Sequence, residues 1–240
     1  MAATTLLFDG IRTAAAITRR VVVFYSGGKD SAVVLDLCFR HFDEVCPVFM
    51  QLGPVLSFQR ACLRWVEDRY GAAPLVLPHP MLSEWLRYGT FRGEPDPTVP
   101  TISFADVYAY VRASTGIWWI AAGERIADSL VRRAMIKHDG GSVCEKRGRF
   151  FPVAHWSKAD VVEYARHHRL KIAPESQRLG FSFRSLLGRD MWLIRKHYPD
   201  DYEALKSWFQ LVGAGVARYE FGVRRGGFAG EGGESHGEKG

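Results

Sequence analysis

"VVVFYSGGKDSAVVLDL", residues 21–37, holds two apolar runs joined by six small or charged residues. Val21–Tyr25 is β-branched and apolar throughout, the pattern of a strand buried on both faces at the centre of a parallel sheet. Residues 29–40 read as the helix that follows it. Between them stand Ser26, Gly27, Gly28, Lys29, Asp30 and Ser31. Glycine supplies dihedrals closed to other residues and lets a backbone approach a ligand closely. The start of the helix adds N–H groups and partial positive charge. Ser26 and Ser31 offer hydroxyls, and Lys29 can neutralise a phosphate oxygen. Asp30 is out of place beside an anion unless it meets a Mg²⁺ riding on the phosphates, or caps the helix. The stretch therefore predicts an anion-binding turn. Neither G-x-x-x-x-G-K-[ST] nor G-x-G-x-x-G fits it.

Working outward, residues 11–19 read as a short helix and 44–53 as a second strand. A helix over 57–71 is stopped by Gly71. Residues 73–80 read as a short strand ended by prolines. The segment 92–101, rich in proline, suits neither a helix nor a central strand. A helix follows over 103–114, a strand over 117–123, a helix over 124–138 and a strand over 149–156. Ser157, with Asp160 three residues on, opens a helix over 157–168 with a capping box. Strands alternating with helices of this length imply right-handed crossovers. The expected fold is α/β: a five-stranded, mostly parallel sheet with helices on both faces. Residues 185–220 carry a helical pattern without strands. The expected division is an α/β domain over 1–175, a helical extension over 176–225 and a disordered glycine-rich tail over 226–240.

The chain has 240 residues, 47% of them hydrophobic, which suits one domain with a small appendage. No run of 18 apolar residues exists, so no spanning helix and no membrane partner are expected. The N-terminus lacks a secretory pattern, and a cytoplasmic location is the expectation. The four cysteines, Cys38, Cys46, Cys62 and Cys144, form no C-x-x-C pair and read as reduced structural thiols. The net charge of +6 favours anionic partners, nucleotides and nucleic acid alike, and fits a solvated basic surface equally well.

A second constellation lies in "GERIADSLVRRA", residues 123–134. On a helix, Arg125, Ser129 and Arg132 or Arg133 share one face. Ala127, Leu130, Val131, Ala134 and Met135 form an opposite, core-facing stripe. Arginines there point to the same sheet edge as the loop and can grip a second anionic group in bidentate fashion. His167 and His168 diverge on their helix and cannot share a metal. His138 suits either the helix dipole or the mouth of the site, and residues 138–149 either a lid or a surface loop. Of Trp118 and Trp119, one is expected to face the core and the other a helix.

"SGGKDS" resembles the PP-loop of the adenine nucleotide alpha hydrolase superfamily, whose enzymes bind ATP or an adenylyl nucleotide and act at its α-phosphate. The resemblance implies a nucleotide at the C-terminal edge of the sheet, with adenine beside Phe49, Met50 and Gln51. "GERIADSLVRRA" resembles the G-x-R-x-x-E-S-x-x-R element of the phosphoadenosine phosphosulfate (PAPS) reductase family. It places Arg125, Asp128, Ser129 and Arg132 on the motif, with Asp128 where Glu is usual. "FFPVAHWSKADVVEYARHHRL", residues 150–170, resembles a third family segment through Trp156, Asp160, Val161, Tyr164 and His168. Sulfonucleotide reductases attack sulfur with a cysteine in a C-terminal E-C-G-x-H motif. Here no cysteine follows Cys144, as in compact PAPS-reductase-like proteins of phages and mobile elements.

The resemblance implies an ATP pyrophosphatase or adenylyltransferase-type enzyme of sulfur metabolism or a related pathway, using ATP, PAPS or adenylyl sulfate with Mg²⁺. Lys29, Asp30 and Arg125 would carry the chemistry. Ser26, Gly27, Gly28, Lys29, Asp30, Ser31, Ser129 and Arg132 would hold the nucleotide, and Asp30 would meet its Mg²⁺. A nucleotide-binding regulator or nucleic-acid-associated factor without turnover is the alternative. A sulfonucleotide reductase and a relative of the sulfate adenylyltransferase small subunit are further ones. Besides the nucleotide, nucleic acid or another anionic acceptor and a second copy of the chain are admitted as partners.

Overall fold

The computed structural model describes residues 7–138, 140–173, 183 and 185–224. A helix, α1 (Asp9–Ile17), leads into β1 (Arg20–Phe24), and the chain then alternates through α2 (Lys29–His41), β2 (Glu44–Gln51), α3 (Ser57–Tyr70) and β3 (Leu75–Pro78). After α4 (Pro80–Tyr88) and α5 (Phe104–Thr115) come β4 (Ile120–Ala121), α6 (Leu130–His138), β5 (Val143–Cys144) and β6 (Arg149–Phe150). Four helices close the described chain: α7 (Lys158–His167), α8 (Gly188–His197), α9 (Pro199–Trp208) and α10 (Val212–Arg224). The sheet order is β3-β2-β1-β4-β6-β5. Every pairing is parallel except that of β5 with β6. β1 sits centrally with Val22 between Cys46 and Ile120, which is why Val21, Val22 and Val23 are all fully buried.

The sheet has six strands rather than the expected five. The extra one, β5, lies in the segment 138–149 and turns back through a 3₁₀ turn, Glu145–Arg147, to pair antiparallel with β6. Residues 143–149 thus form a structured sheet edge. β4 and β6 are shorter than expected. Pro152 has no N–H to continue the ladder, and the chain folds at once into tight turns, Ala154 N–H to Phe151 O (3.0 Å) and Trp156 N–H to Val153 O (3.0 Å). The third strand ends at Pro78, as expected, and the next proline opens α4. Pro80 takes the first helical position and His79 the cap, where proline's missing N–H costs nothing.

The largest departure is α6. It begins at Leu130, not at 124, because residues 125–128 form a turn with Asp128 N–H on Arg125 O (3.2 Å). Arg125 therefore precedes the helix. The expected core stripe is absent: Leu130 is 77% and Val131 79% exposed, Ala127 and Ala134 are exposed, and Ile136 faces the core with Met135 beside it. The tryptophans do alternate. Trp119 is buried, while Trp118 lies at the surface under the Arg112 guanidinium, 3.8 Å from the ring centre.

One core lies between the sheet and α1, α2, α3 and α7, and another on the opposite face beneath α5. The last three helices form a further cluster with the start of α3 and with α4, through Leu205, Phe209 and Met191 against Leu56, Phe58 and Trp85. Asp201 of α9 is buried and accepts both the amide (2.8 Å) and hydroxyl (2.6 Å) of Ser57, so the extension caps a helix of the α/β layer. The expected tail over 226–240 lies outside the described residues. Among the described residues, no helix is long and apolar enough to cross a membrane.

Candidate functional site

β1 ends at the C-terminal edge of the sheet, and residues 25–28 turn there into α2. Gly27 has φ +78°, and a Cβ on it would lie 3.3 Å from the Ala173 side chain. Ala173 donates its N–H to Gly27 O (3.0 Å), tying the turn to the segment after α7. The Ser31 hydroxyl accepts the Ser26 N–H (3.1 Å), donates to Gly28 O (3.0 Å) and lies 3.1 Å from the Ser26 hydroxyl. The serines thus shape the turn from within. Among the described residues no side chain caps α2, whose first turn points its amides out of the sheet edge.

Gly123, just after β4, packs directly on this turn. A Cβ there would come within 3.2 Å of the Asp30 carbonyl carbon and the Ser31 nitrogen. That close approach delivers the next residues to the loop. Lys29 Nζ lies 2.5 Å from Asp30 Oδ2, and Asp30 Oδ1 lies 2.9 Å from Arg125 Nε. Arg125 then reaches Asp128 (2.5 Å), and Asp128 reaches Arg132 (2.7 Å). Three cations and two carboxylates alternate in one chain of contacts, leaving one net positive charge beside the uncapped helix end.

The rungs differ in kind. Arg125 is only 7% exposed at its side chain. Its Nε faces Asp30 Oδ1 at ion-pair distance without hydrogen-bond alignment, so among the described residues both buried atoms lack a hydrogen bond. Glu124 Oε2 is likewise buried without a hydrogen-bond partner among the described residues. Unsatisfied buried polar atoms are costly. Lys29 and Arg132 are the accessible cations.

Lys29, Asp30, Arg125, Asp128 and Arg132, five of the residues marked by the sequence, are therefore brought together. Ser129 stands at the start of α6, its hydroxyl accepting the Arg132 N–H (3.1 Å). The third motif is mostly framework. Trp156 donates its indole N–H to Leu7 O (2.6 Å), Ser157 and Asp160 cap α7 reciprocally, and Tyr164 donates to Asp36 (2.8 Å). His168 Nδ1 lies 3.1 Å from Arg40. His138 ends α6 and is exposed.

Beside the loop, a cleft of about 190 Å³ opens between the ends of β1, β2 and β3. Phe24, Ser26, Phe49, Met50, Gln59 and His79 help line it. Phe49 and Met50 were marked by the sequence, whereas Gln59 and His79 were not. Their only local signals are a glutamine three residues into a helix and a histidine before Pro80.

Residues 20–177 match the family model of the phosphoadenosine phosphosulfate reductase domain. The chain belongs to that family. The PAPS reductase domain spans the sheet, the loop and the arginine ladder, and so the chain is a member of the PP-loop superfamily. Among solved structures, a PAPS reductase from Candida auris in complex with phosphate is similar at 15% identity. The likeness covers 75% of this chain and 87% of that one with a TM-score of 0.52, and it bears on the fold. A U34-tRNA thiolase from Methanococcus maripaludis carrying a [4Fe-4S] cluster aligns at 15% identity over 86% of this chain and 79% of that one, TM-score 0.47. An NH₃-dependent NAD synthetase from Campylobacter jejuni aligns at 14% over 95% and 98%, TM-score 0.44. At those scores neither adds to the case. A sequence search of curated proteins gave no significant match.

Proposed function

We propose that the turn at residues 26–31 cradles the phosphate chain of an adenine nucleotide, ATP or an adenylyl sulfate, and that the protein is an enzyme acting at its α-phosphate. ATP pyrophosphatase or adenylyl transfer to an acceptor is the reaction class. The observation that carries this reading is continuity: the apolar cleft at Phe49 and Met50 runs into the loop at Ser26, the first residue of the cradle. A base in the cleft would put its phosphates over the amides of α2.

Each charged residue then has a task. Lys29 leaves Asp30 for a phosphate oxygen. Asp30, released by Lys29 and still held by Arg125, is free to hold Mg²⁺ carried by the nucleotide, which typically uses one or two protein carboxylates beside phosphate oxygens. The unaligned contact between Asp30 and Arg125 fits this, since a small carboxylate rotation completes either arrangement. Mg²⁺ supplies charge neutralisation of the leaving group when bound. Arg125 is a strut that orients Asp30, and Arg132 at the open end of the ladder meets the distal anionic group. Catalysis of this kind rests on positioning and charge neutralisation.

The test is incubation of the purified chain with Mg²⁺ and α-labelled ATP, alone and with sulfate, DNA or tRNA. AMP or an adenylylated product is expected with at least one acceptor. Nucleotide binding without product under all conditions would favour a regulator. Thiol-dependent sulfite release from PAPS would move the protein to the reductases.

A further inference from the structure

His79 lies outside the ladder and outside the three sequence motifs, yet β3 delivers it to the cleft. β2 and β3 pair in register through Gln51 and Pro78, and the His79 N–H donates to Gln51 O (2.9 Å). The imidazole thus stands next to the strand end that carries Phe49 and Met50, and it lines the same cleft. Its ring packs edge-on against Phe104, with centroids 5.4 Å apart and planes at 87°.

The tautomer follows from the helix cap. His79 Nδ1 accepts the Met81 N–H at 3.1 Å. A ring nitrogen that accepts carries no proton, so the neutral ring holds its hydrogen on Nε2. Burial lowers the pKa of His79 from its ordinary value, outweighing the opposite influence of Glu84. The ring is therefore neutral near physiological pH, a donor at Nε2 only.

Ser26, Gln59 and Tyr25, whose phenol oxygen is buried, are the other polar side chains that line the cleft. The Ser26 hydroxyl belongs to the loop, and Gln59 Oε1 accepts the Leu56 N–H (2.9 Å), so that what Gln59 has left to offer is its amide N–H₂. The cleft thus offers side-chain N–H donors between apolar walls. The adenine ring carries acceptor nitrogens at N1, N3 and N7. A site built to donate to such an atom rejects a base lacking it, because the donor is then left unpaired.

We propose that His79 donates its Nε2–H to a ring nitrogen of the purine seated beside Phe49 and Met50 and thereby selects the base. This rests on the nucleotide reading above and assigns a specificity residue to it. The test is calorimetric titration of wild type, His79→Phe and His79→Asn with ATP, its 1-deaza, 3-deaza and 7-deaza analogues, and pyrophosphate. His79→Asn keeps an acceptor for the helix cap but is too short to reach the base. One deaza analogue should bind wild type about tenfold more weakly than ATP, the size of one lost hydrogen bond. That deficit should vanish in both variants, while pyrophosphate binds all three proteins alike. Three deaza analogues binding wild type as well as ATP, or a deficit that persists in the variants, overturns the proposal. ATP binding no tighter than pyrophosphate overturns it while leaving the phosphate cradle standing. No binding of either ligand overturns the cradle and the proposal together.

Discussion

Helix α2 carries two aspartates that face opposite fates. Asp36 is 1% exposed and accepts Arg40 (2.6 Å), Tyr70 (2.7 Å) and Tyr164 (2.8 Å), with Arg69 at 3.6 Å. Asp30, less than two turns earlier, is a quarter exposed and held by Lys29 and an unaligned Arg125. Burial alone would raise the pKa of Asp36, but the donors outweigh it and hold the carboxyl below its ordinary value. Burial and the same carboxylate push the Tyr70 and Tyr164 phenols up. A saturated carboxylate locks α2, α3 and α7 together. The unsaturated one stands beside a partly exposed lysine and keeps an oxygen without a hydrogen bond among the described residues.

The comparison is broken most easily at Asp36. Removing one member of a buried charged network costs about 3–5 kcal/mol. At a few degrees per kcal/mol for a chain of this size, Asp36→Asn should lower Tm by about 10 °C, read by scanning calorimetry. Nucleotide affinity of the folded fraction should stay within about twofold, because the carboxylate touches no part of the loop.

Gly123→Ala presses on the other aspartate. Its Cβ would crowd the backbone of Asp30 and Ser31 at 3.2 Å, and the turn must shift to admit it. Overpacking of this kind costs about 1–3 kcal/mol, and affinity for ATP should fall about tenfold in a titration.

Acid probes Asp36 by itself. The folded pKa of Asp36 lies below its ordinary 3.8. Below that ordinary value the unfolded chain takes up the proton first, so its contribution is whole above it and is lost as pH falls through the folded pKa. Urea midpoints from about pH 6 down to about pH 3 should fall more steeply for wild type than for Asp36→Asn in the last unit.

The smallest effect is expected at Ser129, whose hydroxyl opens α6. Ser129→Ala should lower stability by about 1 kcal/mol, as loss of a helix cap does. ATP affinity should change less than about threefold, whereas a tenfold loss would assign the hydroxyl to the nucleotide.

The central strand, the glycine turn and the alternation of strand and helix are written in local pattern, and they were legible. Val21–Val23 could only be buried, and Gly27 does sit at positive φ. What was not legible depends on partners distant in sequence. Helical spacing over 124–138 concealed a turn, because Asp30, 95 positions before Arg125, draws that arginine off the helix. β5 exists only through its pairing with β6. Tyr164 reads as a motif residue, and only the fold shows it serving Asp36. His79 carries no periodic or motif signal, and its place in the cleft follows from β-sheet register alone.

Calorimetric titration of ATP with Mg²⁺ into wild type and Lys29→Ala tests the central claim most directly. Loss of one charge-assisted hydrogen bond to phosphate, about 1.5–3 kcal/mol, predicts a 10- to 100-fold weaker variant. Tm should be nearly unchanged, because the Lys29–Asp30 pair is partly exposed and contributes little to stability. A flat trace for folded wild type, or an unchanged affinity in the variant, would contradict the assignment of residues 26–31 as a nucleotide phosphate cradle.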